Sequence, residues 1–344
     1  MTSLPPPPKP PGAAPAGPID RLNDGSAAPP RLRRDLNLGT LLALPPGSRG
    51  HRDTLAAQLA MLRADGWEAV QHWDGFEAIQ AAGLRATGMA RITEPAQADA
   101  VAREHRARGV EATTLHLGTG FEDDDEADRL VAAVLEASAR HGHPLFVETH
   151  RATLTQDIWR TLQRVRRFPA LRFNADLSHW YAGHELTYGG EFDQRSEQLA
   201  PVLQRTRFMH GRIASSGAIQ VAADAPGPAT AHFRRLWQAC CEGFLDGAGP
   251  GDLLPFAPEL LPERVGDGAD AMWLQYAQVR PHPPDDPLRG EPTDRYAEAE
   301  ALWRLASEAF EAARQALAIA SPADRPIDRP IDRPGQAGDP PCAR

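Results

Sequence analysis

Four ionisable side chains stand at or just after the ends of four consecutive apolar runs between residues 145 and 259. They are Glu148, Asp176, His210 and Glu259. Three carboxylates that converge on one point repel each other unless a cation lies between them. Oxygen-rich ligation with a single imidazole suits Mn²⁺, Mg²⁺ or Co²⁺ better than a structural Zn²⁺. The sequence therefore predicts one divalent metal ion at these residues, with Zn²⁺ as an alternative.

The elements that must position these residues are predicted to be eight strands that alternate with helices. Short apolar runs followed by amphipathic helical patterns are typical of βα units in a parallel sheet. The predicted strands are Thr40–Ala43, Glu68–His72, Ala86–Ile92, Ala112–Leu117, Leu145–Thr149, Leu171–Ala175, Arg207–Gly211 and Leu253–Pro258. Eight such units predict an α/β protein with a (β/α)8 TIM barrel, whose site lies at the C-terminal ends of the strands. Neighbouring strands lie about 4.8 Å apart, so the four residues can converge there.

The helices and the chain ends complete this picture. The predicted helices are Thr54–Ala64, Phe76–Ala81, Gln97–Ala107, Glu126–Arg140, Gln156–Arg166, Glu197–Leu203, Ala231–Leu245 and Tyr296–Leu317. Residues 1–35 are rich in proline and poor in bulky apolar residues, so we expect a disordered tail there. Residues 321–344 repeat the motif Arg-Pro-Ile-Asp and are predicted to form a second disordered tail, because proline at every fourth position prevents a regular helix. The barrel domain is expected at residues 36–320.

The composition excludes several classes of function. The 344 residues include 37 basic and 46 acidic ones, for a net charge of −9, and Lys9 is the only lysine. Schiff-base catalysis and the phosphate-binding loop both need a lysine side chain, so a folded domain without lysine excludes them. The sequence contains no basic stripe of the kind that indicates nucleic-acid binding. It also contains no apolar run that approaches the roughly 18 residues of a membrane span. Three cysteines provide no disulfide framework, and we expect a cytoplasmic protein.

The motifs in this order resemble the xylose isomerase-like TIM barrel superfamily, of the sugar phosphate isomerase/epimerase type, over about residues 36–280. The resemblance is carried by Glu148, Asp176-Leu-Ser-His179, His210-Gly-Arg212 and Glu259. It implies that the four predicted ligands bind one divalent metal and that Glu148 and Glu259 form an acid/base pair on opposite sides of a sugar substrate. It also implies that His179 and Arg212 contact substrate hydroxyls.

The chemistry expected of such a site is proton transfer through an enediolate, which a divalent ion stabilises. One glutamate takes a carbon-bound proton, and that residue or the other returns it. Return to the opposite face gives epimerisation, return to the neighbouring carbon gives isomerisation, and loss of a β-hydroxyl gives dehydration. The sequence does not choose among these outcomes. Further candidates for substrate contact or orientation are His116, His150, Arg151, Trp73 and Trp180.

The predicted isomerase or epimerase acts on a sugar, a sugar phosphate or a keto acid, and Arg151 and Arg212 are candidates to bind a carboxylate or phosphate of the substrate. Two alternatives stay open beside it. The absence of lysine from the predicted barrel disfavours a true xylose isomerase, which uses a catalytic lysine. A type IV AP endonuclease with three zinc ions would use many of the same positions, but its Asp-x-His motif after strand seven is missing, and residues 221–226 stand there instead. The second alternative is a non-catalytic barrel that binds a sugar or another metabolite. Assembly into a homo-oligomer is also left open.

Overall fold

The structure is a computed structural model, and it describes residues 17–319. Eight parallel strands lie in sequence order around a closed sheet, and the eighth pairs with the first. The strands are β1 (Arg31–Asn37), β2 (Ala69–His72), β3 (Arg85–Ile92), β4 (Thr113–Leu117), β5 (Leu145–Glu148), β6 (Phe173–Ala175), β7 (Thr206–Gly211) and β8 (Asp252–Pro258). The predicted (β/α)8 TIM barrel is therefore confirmed.

Helices connect the strands on the outside of the barrel. They are α1 (Leu55–Ala64), α2 (Phe76–Ala81), α3 (Pro95–Ala107), α4 (Asp124–His141), α5 (Ile158–Arg167), α6 (Ser178–Gly183), α7 (Phe192–Gln198), α8 (Ala200–Leu203), α9 (Ala229–Leu245) and α10 (Arg295–Ile319). None of the helices within residues 17–319 is both long enough and apolar enough to span a membrane.

The predicted first strand, Thr40–Ala43, is wrong. That segment overlaps a 3-10 helix at Leu38–Leu41, and the true first strand is β1. The strand escaped recognition because its inward-facing residues, Arg33, Asp35 and Asn37, are polar although they are buried. Residues 31–35 therefore belong to the barrel and not to a disordered tail.

The chain before β1 also contributes to the fold. Residues Leu22–Asn23 form a short strand that pairs antiparallel with β8. Residues 1–16 and 320–344, which include the remaining parts of both predicted tails, lie outside the described residues. The other seven strands and most helices begin and end within two residues of their predicted bounds, whereas the helix predicted at Glu197–Leu203 corresponds to α7 and α8.

The alternation of side chains along each strand separates two parts of the core. Outward-facing residues pack against the helices in one large apolar cluster. Inward-facing residues fill the barrel with a smaller cluster that consists of Leu22, Ala112, Phe146, Phe208, Leu253 and Ala257. Because successive side chains point to opposite faces, the residues two positions further along β5 and β7 also point into the barrel. Those residues are Glu148 and His210.

Candidate functional site

The four predicted metal ligands come together at the C-terminal end of the barrel. Each of them offers one ligand atom, and these atoms all lie within 4.8 Å of one another. All four residues are buried. Glu148 and His210 lie on β5 and β7, while Asp176 and Glu259 each follow the last residue of their strand.

The Nδ1 atom of His210 is the centre of this cluster. It lies 3.6 Å from Glu148 Oε2, 3.6 Å from Asp176 Oδ2 and 3.3 Å from Glu259 Oε2. Four ligands arranged tetrahedrally at about 2.1 Å from one ion would be about 3.4 Å apart. The observed spacings match that separation.

The hydrogen bonds of His210 also fit a metal ligand. Its Nε2 atom lies 2.7 Å from Gln71 Oε1, an acceptor, and 3.1 Å from Asn174 Nδ2, a donor. When Nε2 carries the ring proton toward Gln71 and a metal ion takes the place of the second ring proton, the lone pair is on Nδ1, which is buried and has no hydrogen-bond partner among the described residues. A lone pair that faces three carboxylate oxygens requires a positive charge between them. The donor set, three carboxylates and one imidazole, fits a small divalent cation.

Polar side chains behind the ligands fix their orientation. Asn174 Nδ2 donates to Glu148 Oε2 at 3.1 Å, and Asn37 Nδ2 donates to Glu259 Oε1 at 3.1 Å. The backbone N–H of Ser178 donates to Asp176 Oδ1 at 3.1 Å, and the Ser178 hydroxyl donates to the same oxygen. Such outer partners hold metal-binding carboxylates in place.

Arg212 provides a fixed positive charge beside the cluster. Its Nη2 atom donates to Glu259 Oε2 at 2.6 Å and also to Asp176 Oδ2. The guanidinium is buried, and the ring of Tyr276 lies over it at 4.6 Å. One guanidinium does not balance three carboxylates, so the cluster keeps a surplus of negative charge.

The electrostatic field of this cluster shifts several pKa values. Burial by itself would lower the pKa of His210, but Glu148 and Glu259 outweigh it and raise the pKa to about 10. Burial would raise the pKa of Glu259, but His210 and Arg212 lower it to about 2. Burial is likewise outweighed at Asp176, where Arg212 and His179 hold the pKa well below its usual range. The ligand position therefore favours a proton or a cation beside ionised carboxylates.

Three predicted histidines form a row along one side of the ligands. The ring of His150 stacks on His116 with centroids 4.2 Å apart, and its centroid lies 4.0 Å from that of His179. His116 Nε2 lies 3.4 Å from Glu148 Oε1, and His179 Nε2 lies 3.6 Å from Asp176 Oδ2. Within residues 17–319, neither nitrogen of the buried His179 ring has a hydrogen-bond partner. His116, Glu148 and His150 also form a second group with metal-ligand spacing, which shares Glu148 with the first.

The two predicted tryptophans differ in their surroundings. Trp180 is only 1% exposed and its indole N–H donates to the carbonyl oxygen of Thr155 at 2.8 Å. A substrate contact for Trp180 stays a prediction, since Glu148 and Asp176 of the cluster are just as buried. Trp73 is 48% exposed and meets the His116 ring edge-on at 5.4 Å.

Several residues that shape the site were missed by the sequence reasoning. Asn37, Gln71 and Asn174 point inward and bond the ligands or one another, and Tyr276 covers Arg212. Asn174 could have been found, because it lies two positions before Asp176 and so shares its face of the strand. Tyr276 gave no signal of this kind, because it lies in the long connection between β8 and α10.

No family model matches the sequence, and no curated protein matches it. Solved structures to which the chain is similar include D-allulose 3-epimerase from Methylomonas sp. in complex with D-allulose, with 15% identity, 84% of this chain and 99% of that chain covered, and a TM-score of 0.47. Another is a xylose isomerase-like TIM barrel protein from Mycobacterium smegmatis in complex with magnesium, with 14% identity, 83% and 98% covered, and a TM-score of 0.44. Endonuclease IV from Thermus thermophilus matches with 16% identity, 83% and 99% covered, and a TM-score of 0.40.

Proposed function

We propose that the chain is a divalent-metal-dependent isomerase or epimerase that acts on a sugar or a sugar-like substrate. The observation that carries this proposal is the meeting of Glu148, Asp176, Glu259 and the unpartnered Nδ1 atom of His210 at one point. When bound there, a divalent ion supplies the positive charge that stabilises negative charge on substrate oxygens as a carbon-bound proton leaves.

Glu148 is the proposed proton acceptor. Its Oε2 atom is held by Asn174, whereas its Oε1 atom is buried and has no hydrogen-bond partner among the described residues. A carboxylate oxygen with a free lone pair in a site shielded from water is suited to take a proton from carbon. His116 Nε2 lies 3.4 Å from the same Oε1 atom, so it is placed to share that proton.

Glu259 is the proposed second member of the acid/base pair. In contrast to Glu148, both of its carboxylate oxygens accept hydrogen bonds, Oε1 from Asn37 and Oε2 from Arg212. Return of the proton by Glu259 would complete an epimerisation, and return by Glu148 to the neighbouring carbon would complete an isomerisation. His179 and Arg212 remain the predicted contacts for substrate hydroxyls.

The test is solvent exchange at substrate carbon. The full chain is loaded with Mn²⁺, mixed in D₂O with a panel of ketoses and aldoses, and followed by NMR for loss of C–H signals. The expected result is exchange on at least one sugar, with a loss of roughly 100-fold or more in Glu148→Gln and in Glu259→Gln, as is usual when an acid/base group is removed.

Glu263→Gln is the matched control, because Glu263 lies four residues after Glu259 and its side chain makes no hydrogen bond or ion pair among the described residues. This variant should exchange as the wild type does. A fully metal-loaded protein that exchanges none of the sugars would overturn the proposal and leave a binding protein. Cleavage of abasic DNA with three zinc ions per chain would favour the endonuclease alternative.

A further inference from the structure

We infer that the substrate of this site carries an anionic group, a carboxylate or a phosphate ester, which binds Arg151 at the rim of the barrel. The inference rests on the proposed function, since it places the reacting carbons of the substrate beside Glu148 and Glu259. It names a feature of the substrate that the proton chemistry does not determine.

The charges of the candidate metal centre balance without Arg151. The three carboxylates of the candidate metal centre are balanced by one divalent ion together with the guanidinium of Arg212, which contacts two of them. Arg151 then adds a positive charge with no counterpart. Within residues 17–319 its guanidinium forms no ion pair and no hydrogen bond, and its side chain is exposed. A negatively charged group of a substrate can therefore pair with this guanidinium.

Arg151 lies at the rim of the barrel, close to the candidate metal centre. It directly follows His150, whose ring lies between His116 and His179 beside the ligands. The guanidinium of Arg151 lies 5.2 Å from the centre of the Tyr276 ring, and Arg212 lies 4.6 Å from the same ring. Tyr276 therefore connects the free guanidinium at the rim to the paired guanidinium beside Glu259.

The ring of Tyr276 holds the guanidinium of Arg151 in place. Attraction between a cation and an aromatic face positions Arg151 without consuming its N–H donors, which stay available for a ligand. The planar guanidinium has the donor geometry to bind a carboxylate or a phosphate with two parallel hydrogen bonds. A polyhydroxy chain that reaches from the metal centre past Tyr276 would place its far end at this group.

The test compares probes that differ in charge. The Mn²⁺-loaded full chain is titrated with D-gluconate, D-sorbitol 6-phosphate and neutral D-sorbitol, and the dissociation constants are measured by ligand-observed NMR at constant ionic strength. The dissociation constant of each anion is divided by that of sorbitol for the same variant. We expect at least one anion to bind about tenfold more tightly than sorbitol, and Arg151→Gln to remove that preference.

Controls separate the site from bulk charge. Arg52→Gln removes another exposed arginine that donates only to backbone carbonyls of Arg49 and His51, and it should leave the preference intact. Arg151→Lys should retain part of the preference for the phosphate and less of that for the carboxylate, because an ammonium group lacks the two-donor geometry.

Each outcome decides the inference. Loss of the preference in Arg151→Gln alone supports it, and the anion that loses more affinity shows whether a carboxylate or a phosphate is bound. Equal binding of all three probes, a preference that survives Arg151→Gln, or an equal loss in Arg52→Gln would overturn it. Because these measurements record binding and not proton exchange, a failure of the proposed reaction is detected separately, in the exchange experiment.

Discussion

At the N-terminal end of the barrel, Arg33 donates to both carboxylate oxygens of Asp35 at 2.7 Å and pairs with Glu111 as well. At the C-terminal end, Arg212 serves two carboxylates while a third, Glu148, has no guanidinium partner. Both groups are buried, so both lose the hydration that stabilises charge in water. The first group has two guanidinium groups, Arg33 and Arg85, for its two carboxylates, whereas the second has one for three and needs an added cation to match them.

The same contrast appears between two histidine clusters that meet on strand β4. Near its beginning, the hydroxyl of Thr113 lies 2.7 Å from His105 Nδ1 and 2.8 Å from His143 Nε2, so one hydroxyl bridges two buried rings. Near its end, His116 lies beside His150 and His179, and nitrogens of all three rings are buried without partners. Buried polar atoms are nearly always paired in folded proteins, so unpaired ones in a cluster indicate a binding site.

The largest expected effect is a loss of stability when an ion pair at either end of the barrel is broken. Arg33→Met leaves Asp35 buried and unpaired and should lower the free energy of unfolding by about 3–5 kcal/mol. Arg212→Met should also destabilise the metal-free protein, but Mn²⁺ can replace the lost charge only there. Unfolding in urea with a chelator and with Mn²⁺ should therefore show recovery for Arg212→Met beyond the increment that Mn²⁺ gives the wild type, and none for Arg33→Met.

A second variant guards against ambiguity in this measurement. Replacing both partners, as in Arg33→Met with Asp35→Leu, should recover most of the lost stability, because no unpaired charge remains. If Mn²⁺ restores the two single variants equally, the distinction between the two ends of the barrel is wrong.

The sequence could predict one of these two regions better than the other. Local strand patterns determine where some residues lie, whereas contacts with residues far away in the chain determine where others lie. Glu148, Asp176, His210 and Glu259 were predictable, because each follows or ends an apolar run whose period places it on the inner face at the functional end. Strand β1 was not predictable in this way. Its inward residues Arg33 and Asp35 are polar and are stabilised by each other and by Glu111, a partner 78 positions away from Arg33. Pairing across such a distance leaves no local pattern.

The contact between Tyr276 and the two arginines escaped the sequence reasoning for a related reason. The residue lies in a connection without helical or strand periodicity that would predict its place in space. Sequence patterns indicate which face a residue takes on a regular element, but not how loops fold over the site.

The next effect is a dependence of stability on pH that comes from the N-terminal end. Burial, with contributions from His105 and Arg106, lowers the pKa of His143 to about 3. Because the unfolded chain binds this proton near pH 6.5, the stability contributed by neutral His143 is complete above that pH and is lost as the pH falls from 6.5 toward 3. At pH 5 the loss amounts to about 2 kcal/mol.

Urea unfolding between pH 5 and pH 7.5 would measure this dependence. His143→Gln keeps a hydrogen-bonding side chain without a titratable ring, so it should show a shallower slope than the wild type over the same range. His282→Gln serves as the control, because that side chain is exposed, and it should keep the wild-type slope. An unchanged slope in His143→Gln would show that other groups cause the acid sensitivity.

The smallest effect concerns the orientation of a ligand at the C-terminal end. Asn174→Ala removes the hydrogen bond to Glu148 Oε2 but no predicted ligand, and loss of such a partner should weaken Mn²⁺ binding by about tenfold. Asn23→Ala is the matched control, since Asn23 makes comparable amide bonds to Pro250 and Asp252 at the opposite end. Titration with Mn²⁺ should detect a change for Asn174→Ala alone. If both variants bind Mn²⁺ as the wild type does, the carboxylates at the C-terminal end need no more orientation than those at the N-terminal end, and the ordering of Glu148 by Asn174 is unrelated to a metal.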